Sequence, residues 1–419
     1  MKKNIWIMNH YATGMYFDEG GRHYWFAKEL QQKGYKPVIF SCNVKHRKSG
    51  EGTYFEDKEL WSRHYANNIP FVVIRSTKYI GNGRDRIKNM VIFSINLMRT
   101  AREYAQKYGK PDIIIASSVH PFTVFAGEKI AKRFQIPCIC EIRDLWPESI
   151  FAYYPKIRKK PYAKLLLAGE KRMYKKADAI VMTWAGGAQY IKDMKWSKEI
   201  PESKVFHICN GVDLKGFDNN IITHPFYEED LLDQNIFKVV YTGAIRLVNK
   251  IDMLVDVAEI LEKRGNKKNI KILVWGEGDK AESIKKKIAD RGIKSIELKG
   301  KVAKQNIPSI LSQADCCILQ YASTELDKFG QSQNKFFEYL ASGKPVLMTY
   351  TVGYSIIEKY KCGIMLKRQT PEEIADALEK LADQSDEEKK VMAKNARLAA
   401  EDYDFSVLTE KLISIIERL

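Results

Sequence analysis

The chain has 419 residues, enough for two to three domains, and its 45% hydrophobic and 29% charged content is that of a globular protein with sizeable cores. A net charge of +17 and a pI near 9.3 call for an anionic partner: nucleic acid, an anionic membrane or a phosphorylated substrate. No stretch approaches the roughly eighteen apolar residues of a membrane span, and the apolar run after Lys3 is too short for a secretory leader, so a cytoplasmic or peripheral location is expected.

In chain order, Asn4–Asn9 reads as a first strand. A loop from His10 to Gly21, a helix over Arg22–Lys33 and a strand over Lys36–Ser41 follow it. That order is a βαβ unit opening a parallel sheet. The loop glycines Gly20 and Gly21 can cradle a diphosphate, although the spacing is not that of a dinucleotide fingerprint; tight-turn geometry alone explains them equally well. Residues 45–68 lack a period and read as a long loop. Phe71–Arg75 is a strand and Arg84–Lys107 a long helix. The buried strand Pro111–Ser117 delivers His120 just past its carboxyl end, where α/β proteins place ligands. The strand Ile136–Glu141 likewise delivers Arg143 and Asp144, which could equally form a local ion pair capping a helix. The seven cysteines include no C-x-x-C and read as reduced, mostly buried thiols.

Residues 155–176 hold nine Lys or Arg and one acid, Glu170, with Tyr162 and Leu165–Leu167 interleaved. Such a segment suits an anionic leaflet, although most charge runs are simply solvated faces. No nucleic-acid-binding module is recognised. After the strands Ala177–Thr183 and Val205–Cys209, residues 214–236 read as a linker, which bounds a first domain at 1–213. The alternation then repeats over 237–401 as a second doubly wound domain. Its loops carry Arg246 and Lys250, then Gly276 and Gly278, then Lys301 and Val302. The stretch Lys328–Met348 reads as a polar loop, a short helix stopped at Gly343, and a buried strand. A last amphipathic helix spans about 402–419.

Two segments carry a resemblance. NKFFEYLASGKPVL in the second half and RDLWPES in the first resemble the GT4-like family of GT-B glycosyltransferases, in particular its bacterial polysaccharide branch. The resemblance implies two Rossmann-like domains facing a cleft, with the C-terminal helix crossing back to the first. It implies a retaining, metal-independent enzyme without a cofactor. Such an enzyme moves a sugar, hexosyl or N-acetylhexosaminyl, from a nucleotide-sugar (UDP-sugar expected) to an undecaprenyl-diphosphate-linked or similar glycan in capsule or O-antigen synthesis. The location implied is peripheral, on the inner face of the cell membrane. By the same resemblance His120, Lys250, Arg246 and Asp144 are the catalytic candidates. Gly20, Gly21, Arg143, Gly276, Gly278, Lys301, Val302, Ser332, Asn334, Lys335 and Glu338 are the donor-binding ones, with Gln331 beside them. Two departures stand out. Ala244 occupies the place of the family arginine, with Arg246 shifted, and Gly330 stands where many relatives have the first Glu of a paired motif. The competing readings are a sugar-nucleotide epimerase of the same fold and a non-catalytic scaffold that binds nucleotide sugars.

Overall fold

The computed structural model describes residues 2–44, 55, 59–81, 83–118 and 120–419. The chain divides into two units: residues 1–209 with 405–419, and residues 210–404.

The first unit is built on an eight-stranded sheet. Its strands are β1 (Asn4–Met8), β2 (Lys36–Cys42), β3 (Trp61–Ala66), β4 (Ile69–Ile74), β5 (Ile113–Ser118), β6 (Cys138–Ile142), β7 (Ala179–Met182) and β8 (Val205–His207). They lie in the order β3-β4-β2-β1-β5-β6-β7-β8. All neighbours pair parallel except β3 with β4. The inner strands are buried along their whole length and largely apolar, with Ser117, Ser118 and Glu141 the polar residues of β5 and β6, as expected where helices cover both faces of a sheet. Strand order reverses between β1 and β5, which makes the carboxyl ends of those two strands the natural crevice of this unit.

Two loops expected from the sequence are partly regular. The His10–Gly21 loop contains a helical turn at Thr13–Phe17. The 45–68 loop ends in β3, whose half-exposed mix of polar and aromatic side chains suits an antiparallel edge strand and hides its period; residues 45–54 and 56–58 of that loop lie outside the described residues. The basic segment forms two helices, Pro155–Arg158 and Pro161–Lys176, because Pro161 starts a new helix rather than continuing one.

The C-terminal helix Phe405–Arg418 belongs to this first unit, as the resemblance implies. Phe405 packs edge-on against Phe26 at 5.4 Å, and Tyr35 Oη donates to Glu417 at 2.5 Å. Lys3 Nζ donates to the Ile416 carbonyl at 2.6 Å. All seven cysteines are buried free thiols.

The Pro161–Lys176 helix buries one carboxyl, Glu170, which accepts hydrogen bonds from Tyr174 Oη at 2.8 Å and Tyr190 Oη at 2.9 Å. Burial outweighs those two donors and pushes this acid up to about 8. Because the folded group holds its proton after the unfolded one has lost it, stability falls as pH rises from the ordinary carboxylate range to about 8. The slope is up to about 1.4 kcal/mol per pH unit. Glu170→Gln is expected to flatten that slope in urea titrations at pH 5, 6.5 and 8; an unchanged slope would contradict the assignment.

The second unit carries a six-stranded parallel sheet. Its strands are β9 (Phe237–Thr242), β10 (Ile270–Trp275), β11 (Ile296–Gly300), β12 (Cys316–Leu319), β13 (Val346–Met348) and β14 (Gly363–Met365). The order is β11-β10-β9-β12-β13-β14. Here the reversal falls between β9 and β12. The core packs β9, β10 and β12 against the helices Ile251–Lys263 and Pro371–Asp383 through Val239, Ile272, Ile318, Leu254, Ala258 and Leu378. Residues 214–236, aperiodic in sequence, contain the helices Leu214–Thr223 and Glu229–Leu232.

Candidate active site

In the second unit Gly276, Gly278, Lys301 and Lys335 come together at the carboxyl ends of β9, β10 and β11. The backbones approach closely there. A Cβ on Gly276 would stand 1.8 Å from the Gly243 carbonyl oxygen, and one on Gly278 would stand 2.1 Å from that of Ile245. Both obstacles are backbone, so neither can yield. Gly276→Ala is therefore expected to destabilise the second unit by at least about 3 kcal/mol, near the upper end of single-site effects. The readout is the midpoint of its chemical unfolding, and a midpoint like that of the unaltered chain would refute the packing described.

Lys335 lies in the first turn of the helix Asn334–Ala341 and reaches back to the β9 loop. Its Nζ donates to Tyr241 Oη at 2.5 Å and sits 4.0 Å from the centre of that ring. A Cβ on Gly243 (φ 140°) would meet the same Nζ at 2.6 Å, so a side chain there would push the lysine end aside as well as strain the backbone. Tyr241 Oη passes the contact on to the Ala244 carbonyl at 2.9 Å. Burial brings the Lys335 ammonium down to about 7, although the nearby Glu338 opposes the shift. Glu338, one turn on and half-buried, is itself raised by burial against Lys304 and Lys335. Tyr339 on the same helix clamps the end of β9, donating to the Thr242 carbonyl at 3.3 Å and accepting from its N–H at 2.9 Å. Thr242 Oγ1, buried at the reversal point, has no partner among the described residues.

The other predicted residues of this unit are placed as follows. Ser332 accepts from the Asn210 N–H at 2.7 Å through its hydroxyl and from Asn210 Nδ2 at 2.5 Å through its carbonyl. Gln331 accepts from Tyr350 Oη at 2.5 Å, which fixes the loop rather than leaving that amide oxygen open. Asn334 and Arg246 are exposed. Lys250 caps the Ile251–Lys263 helix in a left-handed conformation, its Nζ 3.4 Å from Gln369 Oε1. Lys301 is exposed and pairs with Glu277 at 2.9 Å, beside half-buried Val302.

In the first unit the reversal point brings the loop after β1 to the loop after β5. His120 is buried, its ring 4.8 Å from His10 and 6.0 Å from Tyr11. Neither ring nitrogen of His120 has a partner among the described residues. Burial and then the Arg86 charge take it down to about 3, so the imidazole is neutral at working pH. Arg86 Nε donates to Tyr11 Oη at 2.9 Å.

Beside this lies a buried network that motif reasoning missed. Arg22 Nε meets Glu141 Oε1 at 2.8 Å and Arg22 Nη2 donates to the Ile208 carbonyl at 2.8 Å. His23 Nε2 is 2.6 Å from Glu141 Oε2, and its Nδ1 is 2.9 Å from Asn9 Nδ2. Asn9 must donate there, so Nε2 carries the His23 proton and donates to the carboxylate. Burial alone would raise Glu141, but Arg22 and His23 hold it well below the usual carboxylate range. The network anchors the start of the Arg22–Gln32 helix, and so the turn at Gly21 (φ 105°), to the end of β6, which leads into Arg143 and Asp144. Gly20 is buried under the Trp25 ring. Arg143 is half-buried with its Nε unpartnered among the described residues; its carbonyl accepts from Trp184 Nε1 at 3.1 Å. Asp144 is exposed. An Arg22 beside paired glycines and a Glu inside an apolar strand were the available signals.

The sequence does contain an Asp-x-Asp, Asp402-Tyr403-Asp404, but it lies at the end of the second unit. Asp404 accepts from the Leu214 N–H at 2.9 Å and Asp402 from Tyr360 Oη, so both carboxylates are used in packing. No group of three or more metal-ligating side chains occurs among the described residues.

Two parallel-stranded α/β units, each with its candidate residues at a strand-order reversal, define the GT-B class. Residues 24–215 match the family described as Glycosyltransferase Family 4, and residues 236–384 match Glycosyl transferases group 1. The chain belongs to the GT4-like glycosyltransferases. No curated protein sequence matches it. Among solved structures it resembles the sucrose-phosphate synthase of Thermosynechococcus elongatus, with TM-score 0.71, 14% identity, and 100% of this chain and 99% of that one covered. It also resembles Anabaena HepE in complex with UDP-glucose, with TM-score 0.66, 13% identity and full coverage of both chains. A third is the E. coli trehalose-6-phosphate structure bound with UDP-2-fluoro glucose, with TM-score 0.74, 10% identity and 99% of each chain covered.

Proposed function

We propose that this glycosyltransferase is a retaining, metal-independent enzyme of cell-surface polysaccharide synthesis. Its donor is a UDP-sugar held by the second unit, and its acceptor is a lipid-linked glycan presented to the first. The observation that carries the reading is Lys335, a cation held in a glycine-lined recess at the reversal point of the second sheet. A nucleoside diphosphate leaving group develops negative charge, and preorganised cations and helix termini stabilise it where no metal does so. Lys335 and Lys250 take that part in the proposal, and Glu338 holds the ribose hydroxyls. UDP-glucose bound to HepE supports the choice of donor.

In the step proposed, the bond from the anomeric carbon to the diphosphate oxygen breaks. The acceptor oxygen forms its bond on the same face, and its proton passes to the departing phosphate. Neutral His120 supports the positive charge developing on the sugar ring. The basic segment 155–176 holds the enzyme at an anionic membrane; no helix of the described residues is long and apolar enough to cross one.

The test has two stages. A thermal-shift screen over UDP-, GDP- and TDP-sugars is expected to show stabilisation by UDP-sugars, roughly 2.7 kcal/mol at a hundredfold excess over Kd. Radiolabelled transfer to an undecaprenyl-diphosphate glycan follows. Binding without transfer to any acceptor would favour the scaffold reading, and release of an isomerised nucleotide sugar the epimerase.

A further inference from the structure

The helix Arg84–Tyr108 faces two ways. Phe93, Leu97, Ala101 and Tyr104 are buried in the first unit. On the other side Ile87, Val91 and Ile95 stand one turn apart and are 55%, 36% and 42% exposed. Ile80, in the loop that leads into the helix, is 70% exposed. Exposed Arg84, Lys88, Arg99 and Arg102 border this stripe, and no described acid pairs with them. The two acids of the helix, Asp85 and Glu103, both fall about 120° around the helix from Val91. The apolar edge is therefore framed by cations and kept clear of carboxylates.

We infer that this face is a membrane-docking surface. Ile80, Ile87, Val91 and Ile95 enter the boundary between headgroups and acyl chains, and the four cations meet anionic headgroups. A bilayer fits better than a folded partner, because the patch is a narrow convex stripe with cations on its borders in a chain of net charge +17. The inference rests on the membrane reading of the 155–176 segment and extends it to a second element. The helix Pro121–Phe134 packs against both the Arg84–Tyr108 and the Pro161–Lys176 helices, so the two surfaces flank one helix of the same layer. The docked end has a direct consequence for the acceptor. Arg86, in the same first turn as Ile87, bonds Tyr11 beside His120. A lipid-linked glycan leaving the bilayer along this helix arrives beside Tyr11 and His120.

The experiment is flotation of the full chain with phosphatidylcholine vesicles, with and without phosphatidylglycerol. The unaltered chain is expected to float only with the anionic vesicles. Val91→Glu with Ile95→Glu should lower binding at least about tenfold, with thermal stability unchanged. Arg84→Gln with Lys88→Gln alters only exposed charge and guards against misfolding of the first variant; about a fivefold loss per residue and a weaker salt dependence are expected. If both variants float like the unaltered chain while Tyr162→Glu with Leu165→Glu does not, this inference falls and the first membrane reading stands. If the unaltered chain does not float with anionic vesicles, both fall. A change in oligomeric state with flotation intact would assign the stripe to a protein contact and overturn the inference.

Discussion

Lys335→Met is expected to weaken UDP binding by about 10- to 100-fold at pH 7, the range for losing a charge-assisted hydrogen bond in a half-dry site. The free amine titrates at about 7 because burial strips its ammonium of water. A diphosphate favours the charged form, so the bound amine must titrate higher. Below pH 7 the lysine already carries its proton and its own contribution to affinity is insensitive to pH. As pH rises above 7, binding must take up a proton, and affinity falls by up to about tenfold per unit until the titration range of the complex is passed. Calorimetry at pH 8 in buffers of different ionisation enthalpy should report uptake of up to one proton, and Lys335→Met should abolish it. Proton uptake unaffected by the substitution would remove Lys335 from the diphosphate site. Tyr241→Phe keeps the ring under the ammonium but removes the oxygen that links Lys335 to Ala244; a smaller loss of affinity with proton uptake retained is expected.

His120→Ala is expected to slow transfer by about 100-fold or more, as for a group that acts in the transition state, while UDP affinity changes less than about twofold. Glu338→Ala should do the reverse, raising the donor KM with kcat largely kept. Measuring KM and kcat for both variants tests the division of labour, and the opposite pattern would break it. Burial holds His120 neutral down to about 3, so the unaltered enzyme should show no limb in its kcat/KM profile between pH 5 and 8 that disappears in His120→Ala.

The parts of the candidate site that were legible in the sequence share a cause. Gly276, Gly278 and Lys335 stand just after apolar strands or at a helix start, and in a parallel sheet those places are the carboxyl-end edge whatever the strand order. Arg246, Asn334 and Asp144 satisfy the same rule and are exposed, because position along the chain does not say which way a loop side chain turns. The Arg22–Glu141–His23 network was not legible, since its partners are more than 100 positions apart and meet only when β1 and β6 enter the same sheet. The Ile87–Val91–Ile95 stripe was hidden for a related reason. A long helix with apolar residues on two sides gives no sign of which side the sheet will cover.

Local periodicity and turn chemistry alone determined the alternation of strands and helices, the repetition of that alternation in two halves, and the burial of its apolar runs. The motifs added the family. Tertiary structure alone decided that β1 neighbours β5 and β9 neighbours β12, and therefore which loops converge. Strand order is set by long-range packing of covered faces and by the helices that cross them, and neither leaves a mark within any one segment. The same packing brought the Lys335 ammonium onto the Tyr241 ring, beside the Gly243 backbone.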